Sequence, residues 1–183
     1  GECTDPEPEP DPDISVGGTT TTLSQQGSCG GSSNTLSCPA GYVAVGYQGQ
    51  TGAWFDHIKL VCQELLADGS LGSTTTTGAN GWSNSGNNVG PYTCGAGNVM
   101  VGAQVRAGDH MDYVRGHCMS VSDVVAGSTA GYTSSATGMG NSSGGSNYGN
   151  QICPAGQAVT GMVGNNYQYA CRVSWICTSL TSN

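Results

Sequence analysis

Six cysteines in three pairs, each pair 24 positions apart, constrain this chain more than any other feature: Cys38 with Cys62, Cys94 with Cys118, and Cys153 with Cys177. The residues around them repeat in step. Three positions after each opening cysteine stand Gly41, Gly97 and Gly156, each preceded by an alanine. Eight positions after it come Gly46, Gly102 and Gly161, and twenty after it Ile58, Val114 and Val173. Three positions beyond each closing cysteine are Leu65, Val121 and Leu180. One unit is therefore used three times, with spacings of 56 and then 59 residues. The common spacing predicts one bridge inside each unit, closing a two-strand hairpin.

Composition explains why staples are needed. The chain has 183 residues, 31 of them glycine and one phenylalanine, with 36% apolar and 9% charged residues. So little apolar surface offsets poorly the entropy of ordering so many glycines. A bridge closing a loop of about 25 residues contributes at most roughly 3.5 kcal/mol in the chain-entropy model. Three bridges imply an oxidising compartment, meaning secreted, periplasmic or cell-surface. No C-x-x-C pair occurs, and ligands 24 apart match no zinc spacing. Four basic residues against a net charge of −8 exclude nucleic acid as a partner. There is no signal peptide and no apolar run of about 18 residues, so the sequence reads as a processed chain with no transmembrane segment.

Residues 1–16 read as an acidic, proline-rich tail. Six acids fall within residues 1–13, and acids and prolines alternate over 5–13. Fixed φ angles and mutual repulsion favour an extended polyproline-II spacer spanning roughly 25 Å. Residues 17–183 form the domain, in repeats 17–68, 69–125 and 126–183. Val43, Val45 and Tyr47, Val99 and Val101, and the closing segments 57–61 and 172–176 alternate as strands do, and no stretch shows a capped helical period. Before each bridge lies a Gly/Ser/Thr/Asn-rich arm, at 17–37, 69–93 and 126–152. Two strands per arm and two per hairpin predict an all-β fold of three four-stranded sheets.

Units such as Cys38-Pro-Ala-Gly-Tyr-Val-Ala-Val-Gly46 and Gly52-Ala-Trp-Phe-Asp56-His-Ile58 resemble the repeat of the β-prism I fold, that of vitelline membrane outer layer protein I and the jacalin-related lectins. The resemblance covers about residues 17–183. It implies three Greek-key sheets related by pseudo-threefold symmetry and a Gly-x-x-x-Asp turn that binds sugar. Carried over position by position, Gly52, Ala53, Trp54 and Asp56 form one carbohydrate site, and Gly108 and Asp112 a second without an aromatic residue. The third unit reads Tyr167-Gln-Tyr-Ala-Cys171 and has neither glycine nor aspartate. A glycine lets backbone approach a ligand, and a carboxylate accepts two strong hydrogen bonds. The same aspartates could instead tie down their own turns.

Other constellations carry less. Asp109, His110, Asp112 and His117 suggest a metal, but one hairpin rarely supplies a closed ligand set, and they read as exposed polar residues. Gly140-Asn-Ser-Ser-Gly144 matches a hydrolase string without its strand-turn-helix setting. No acid/base pair can be placed, so neither enzyme activity nor a cofactor or metal is expected. Cys3, Cys29 and Cys171 cannot all pair within one chain, so one is free or bonded to another molecule, and Cys3 is the natural candidate for an intermolecular disulfide. Two functions follow. One is an extracellular glycan-binding protein. The other is a structural subunit of an extracellular filament or coat, bonded to other copies of itself, with Ile14-Ser15-Val16 added to a neighbour's sheet edge.

Overall fold

The computed structural model describes residues 13–165 and 167–183. The first arm forms β1 (Ile14–Thr22), β2 (Gln26–Gly27) and β3 (Ser33–Ser37). The first bridged hairpin is β4 (Tyr42–Thr51) and β5 (Phe55–Leu65), and the second arm gives β6 (Leu71–Thr76) and β7 (Asn87–Thr93). Next come β8 (Asn98–Ala107) and β9 (Met111–Ser120), a short helix α1 (Val121–Val125), then β10 (Ser134–Ser135), β11 (Met139–Gly140) and β12 (Ser146–Ile152). The last hairpin is β13 (Gln157–Asn165) and β14 (Arg172–Ser182).

Three antiparallel sheets result, ordered β6-β5-β4-β7, β10-β9-β8-β12 with β11 also on β9, and β1-β14-β13-β3 with β2 also on β14. Each is centred on one bridged hairpin, as the spacing predicts. Each arm pairs with the hairpin that precedes it, so every sheet crosses a boundary of the sequence repeats. The first arm pairs with the last hairpin and closes the ring. The twelve expected strands appear as fourteen segments because the outer arm strands are short and broken.

The repeated residues have repeated jobs. Pro39 and Pro154 carbonyls accept from Tyr42 and Gln157 N–H at 3.0 Å, and Gly95 from Asn98 likewise. Gly41, Gly97 and Gly156 sit at the third position of these turns with φ of 79°, 75° and 80°, where only glycine is unstrained. Their carbonyls then accept from Leu65, Val121 and Leu180 N–H at 2.9, 3.2 and 2.9 Å. Between Ala44 and Gly46, Met100 and Gly102, and Val159 and Gly161 the hairpin register shifts by a bulge. A Cβ on Gly46, Gly102 or Gly161 would meet the carbonyl oxygen of Tyr92, Gln151 or Leu36 on the neighbouring arm. The carbonyls of the bulged residues Val45, Val101 and Thr160 accept from Cys94, Cys153 and Cys38 N–H at 2.7, 2.7 and 2.8 Å. That cycle links each unit to the next and the last to the first.

The inner faces fill a core in which Ile58, Val114 and Val173 are wholly buried. Each contributes roughly 1.5–3 kcal/mol through burial. Sizes compensate across the core: Gly116 leaves the space that Tyr47 fills, a Cβ there lying 2.9 Å from the Tyr47 ring. A second apolar cluster of Val43, Val99, Ala158, Val121 and Val124 lies towards the Pro-Ala-Gly turns.

Several expectations are corrected. Ile14, Ser15 and Val16 pair with Ser182, Thr181 and Leu180 of the same chain, so they are not free for a neighbour, and a tail boundary at residue 16 would fall inside β1. Residues 1–12, with Cys3, lie outside the described residues. Cys38–Cys62, Cys94–Cys118 and Cys153–Cys177 are bonded. So is Cys29 to Cys171, within the chain, which removes both from any intermolecular link. The helix α1 is too short to show a period; Ser120 caps it by accepting from Asp123 N–H at 3.1 Å. No helix among the described residues is long and apolar enough to cross a membrane.

Candidate carbohydrate site at the hairpin turns

The turns linking β4 to β5, β8 to β9 and β13 to β14 gather at one pole. Trp54, His110 and Tyr169 occupy the same repeat position, sixteen after each opening cysteine. Their rings meet in a trio, with centroids 4.8 Å apart for Trp54 and His110, 4.9 Å for His110 and Tyr169, and 5.6 Å for Trp54 and Tyr169. Counting along the repeat could have found this cluster. It was missed because the three residue types differ.

Two positions further on stand Asp56, Asp112 and Cys171, and each is engaged by a loop of an arm. Asp56 is buried at 4% exposure, and its Oδ1 accepts from Ser83 Oγ at 2.7 Å and Ser85 Oγ at 3.0 Å. Its Oδ2 lies against Gly86, where a Cβ would not fit. Asp56 thus ties the 83–86 loop to its turn. Cys171 does the same work covalently through Cys29. Arg172 supports that loop, donating to the Cys29 and Gly31 carbonyls at 3.0 and 3.2 Å.

Asp112 differs. It is only half-buried; its backbone carbonyl accepts from Asn141 N–H of the arm at 2.7 Å, but among the described residues its carboxylate has one protein donor, Gly108 N–H, from which Oδ2 accepts at 3.0 Å. The loop beside it brings Gly144 and Gly145 against the carboxylate, where a Cβ would lie 2.8 Å from Oδ1 or 2.5 Å from Oδ2, so the contact is with backbone that offers no side-chain hydroxyl. Arg106 fixes that loop from behind, donating to the Gly144 and Gly145 carbonyls at 2.8 and 2.9 Å. Asp112 also lines a cleft of about 410 Å³ with Thr51, Gly52, Trp54, Gly140 and Asn141. The Trp54 ring is 40% exposed there. The aromatic residue missing from the second turn's own sequence is therefore present in space, borrowed from the first.

The remaining histidine expected at an exposed position is buried instead. His117 stacks on Tyr132 at 3.8 Å, with its ring nitrogens 3.0 Å from Ser135 Oγ and 2.8 Å from Asn150 Oδ1. Burial pulls its pKa below the usual histidine value.

The architecture has relatives among solved structures. Wild-type Malaysian banana lectin superposes with a TM-score of 0.55 over 88% of this chain and 99% of its own, at 12% identity. Calystegia sepium agglutinin gives a TM-score of 0.55 over 91% and 99%, at 14% identity. The fold is that of the β-prism lectins. No family model and no curated protein sequence matches the chain. In this β-prism the four disulfides fit an extracellular setting.

Proposed function

We propose that this β-prism is a secreted or cell-surface glycan-binding protein that performs no chemistry on its ligand. Its principal site is the Gly108–Asp112 turn together with Trp54. The observation that carries the reading is the uneven treatment of the three equivalent positions. Asp56 and Cys171 are consumed by their own loops, whereas Asp112 keeps Oδ1 without a protein donor among the described residues, beside an exposed indole. A carboxylate oxygen and a tryptophan face are complementary to the hydroxyls and the apolar face of a pyranose. Gly52 contributes backbone to the cleft, Ala53 is exposed beside it in the same turn, and Asp56 serves by holding that turn in place. The lectin neighbours support this assignment. The filament reading loses Ile14–Val16 as a strand for a neighbour's sheet, since these residues pair within the chain.

The test is a glycan array followed by titration of the best ligand into wild type, Asp112→Ala and Trp54→Ala. Each substitution is expected to weaken binding at least tenfold, about 1.4 kcal/mol, while leaving the melting temperature nearly unchanged. A blank array for the wild type, or full affinity in Asp112→Ala, would overturn the assignment.

A further inference from the structure

A second polar surface lies on the outer face of the sheet β6-β5-β4-β7 and shares no polar side chain with the Asp112 cleft. Two adjoining depressions of about 490 and 440 Å³ have His57, Lys59 and Asn84 in common. Strand register builds it: Gln48 pairs with Lys59, Gln50 with His57, and Asn88 with Gln50. At one rim stands Trp82, 67% exposed, the most exposed large apolar side chain among the described residues. Its backbone is anchored, because the Trp82 and Ser83 N–H groups both donate to the Gln168 carbonyl, at 2.9 and 2.7 Å. An exposed indole on an anchored backbone can stack on a ligand without a loop having to be ordered first.

Two further observations point to a ligand. Gln50 is 9% exposed, and its Nε2 donates to Asn88 Oδ1 at 2.9 Å, but its buried Oε1 has no partner. A buried acceptor left unmatched is costly, and a hydroxyl donor would relieve it. Lys59 is the other. Arg106 and Arg172 are spent on loop carbonyls, whereas Lys59 has no acid partner among the described residues. His57 adds an acceptor: its Nδ1 lies 2.8 Å from the Ser83 carbonyl, which can only accept, so Nδ1 carries the proton and Nε2 is left with a lone pair.

We propose that this groove binds a carboxylate-bearing sugar unit of an oligosaccharide. Trp82 covers the apolar face of the ring, Lys59 takes the carboxylate, and Gln50 Oε1, His57 Nε2 and Asn84 take hydroxyls. Uronic and sialic acids share this chemistry, so the experiment uses both. The site is independent of the one at Asp112.

The chain has three tryptophans, and their indole N–H resonances can be followed separately by NMR. Trigalacturonate and 3′-sialyllactose are titrated, with methyl-esterified trigalacturonate and lactose as uncharged counterparts. At least one acid is expected to shift the Trp82 resonance, with at least tenfold tighter binding than its counterpart and weakening in 0.5 M NaCl. Which acid responds identifies the source of the carboxylate. Lys59→Gln should lose that tenfold preference, Trp82→Ala should lose binding, and Asp112→Ala should retain it; circular dichroism checks that each variant is folded. No Trp82 shift with either acid, equal binding of the uncharged probe, or loss in Asp112→Ala would overturn the proposal. Because the two sites are read by different variants, failure here leaves the Asp112 assignment standing, and the reverse holds too.

Discussion

Replacing Tyr47 by phenylalanine removes one oxygen atom from the middle of the core. That oxygen donates to the Thr137 carbonyl and accepts from Gly116 N–H at 3.1 Å. Gly116 is where the ring fits, so no other side chain can move in to replace it. Two backbone groups would be left unpaired, at about 1–3 kcal/mol for each group fully stranded, so a total of roughly 2–4 kcal/mol is expected. For a chain of this length that lowers Tm by roughly 4–16 °C. The same oxygen also sets a pH dependence. Burial pushes the Tyr47 pKa up from 10.0 to about 12. The folded state therefore resists losing a proton that the unfolded state releases near pH 10. Stability from this group is complete below pH 10 and is lost as pH rises towards 12. The loss is roughly 2.7 kcal/mol for a shift of about two units. Phenylalanine has no such proton. Urea denaturation followed by circular dichroism, at pH 8 and at steps from pH 10 to 12, should show a gap between wild type and variant that narrows with pH. A variant as stable as wild type at pH 8, or a gap that stays constant to pH 12, would refute the reasoning.

Two more expectations follow from the described contacts. Asp56→Ala should destabilise by about 1–3 kcal/mol in thermal unfolding, because the buried Ser83 and Ser85 hydroxyls both lose the one carboxylate oxygen, Oδ1, that accepts from them; this is the opposite of what a solvent-facing ligand residue would do. His117, held neutral by burial, must take up a proton as pH falls below its ordinary value near 6.5 in the unfolded chain. Stability from this group is present above that pH and is lost below it, so Tm measured from pH 7.5 to 5 should fall, and His117→Gln should flatten the fall.

Much of the fold is legible in the repeat because the repeated residues are those that backbone geometry demands. Gly41, Gly97 and Gly156 turn the chain, and Gly46, Gly102 and Gly161 pass under a neighbouring strand; each is readable by counting from a cysteine. The direction in which an arm pairs is not readable. The arm flanks a hairpin on either side in sequence, and only the bonds from Cys94 to Val45 and their counterparts choose one. The site was half legible for a related reason. Asp56 and Asp112 look alike in their own turns, and what separates them arrives from Ser83 and Ser85 in one case and from Gly144 and Gly145 in the other. The same is true of Cys171, whose partner lies 142 residues away. Trp82 has no repeat counterpart, so nothing in the periodicity signals that its ring faces water.

The pairing of β1 with β14 has a mechanical consequence. Asn183 N–H donates to the Asp13 carbonyl at 3.0 Å, so the two ends of the described chain meet. They meet at the far end of β14, eleven residues from the turn that carries Tyr169 and Cys171, or roughly 35 Å of extended strand. Polypeptide continuing from Asp13 or Asn183 therefore leaves from the floor of the prism, while the turns that carry Trp54, His110 and Tyr169 form its roof. A tether at either end would hold the molecule upright, with the proposed site at Asp112 and Trp54 pointing away from whatever it is anchored to.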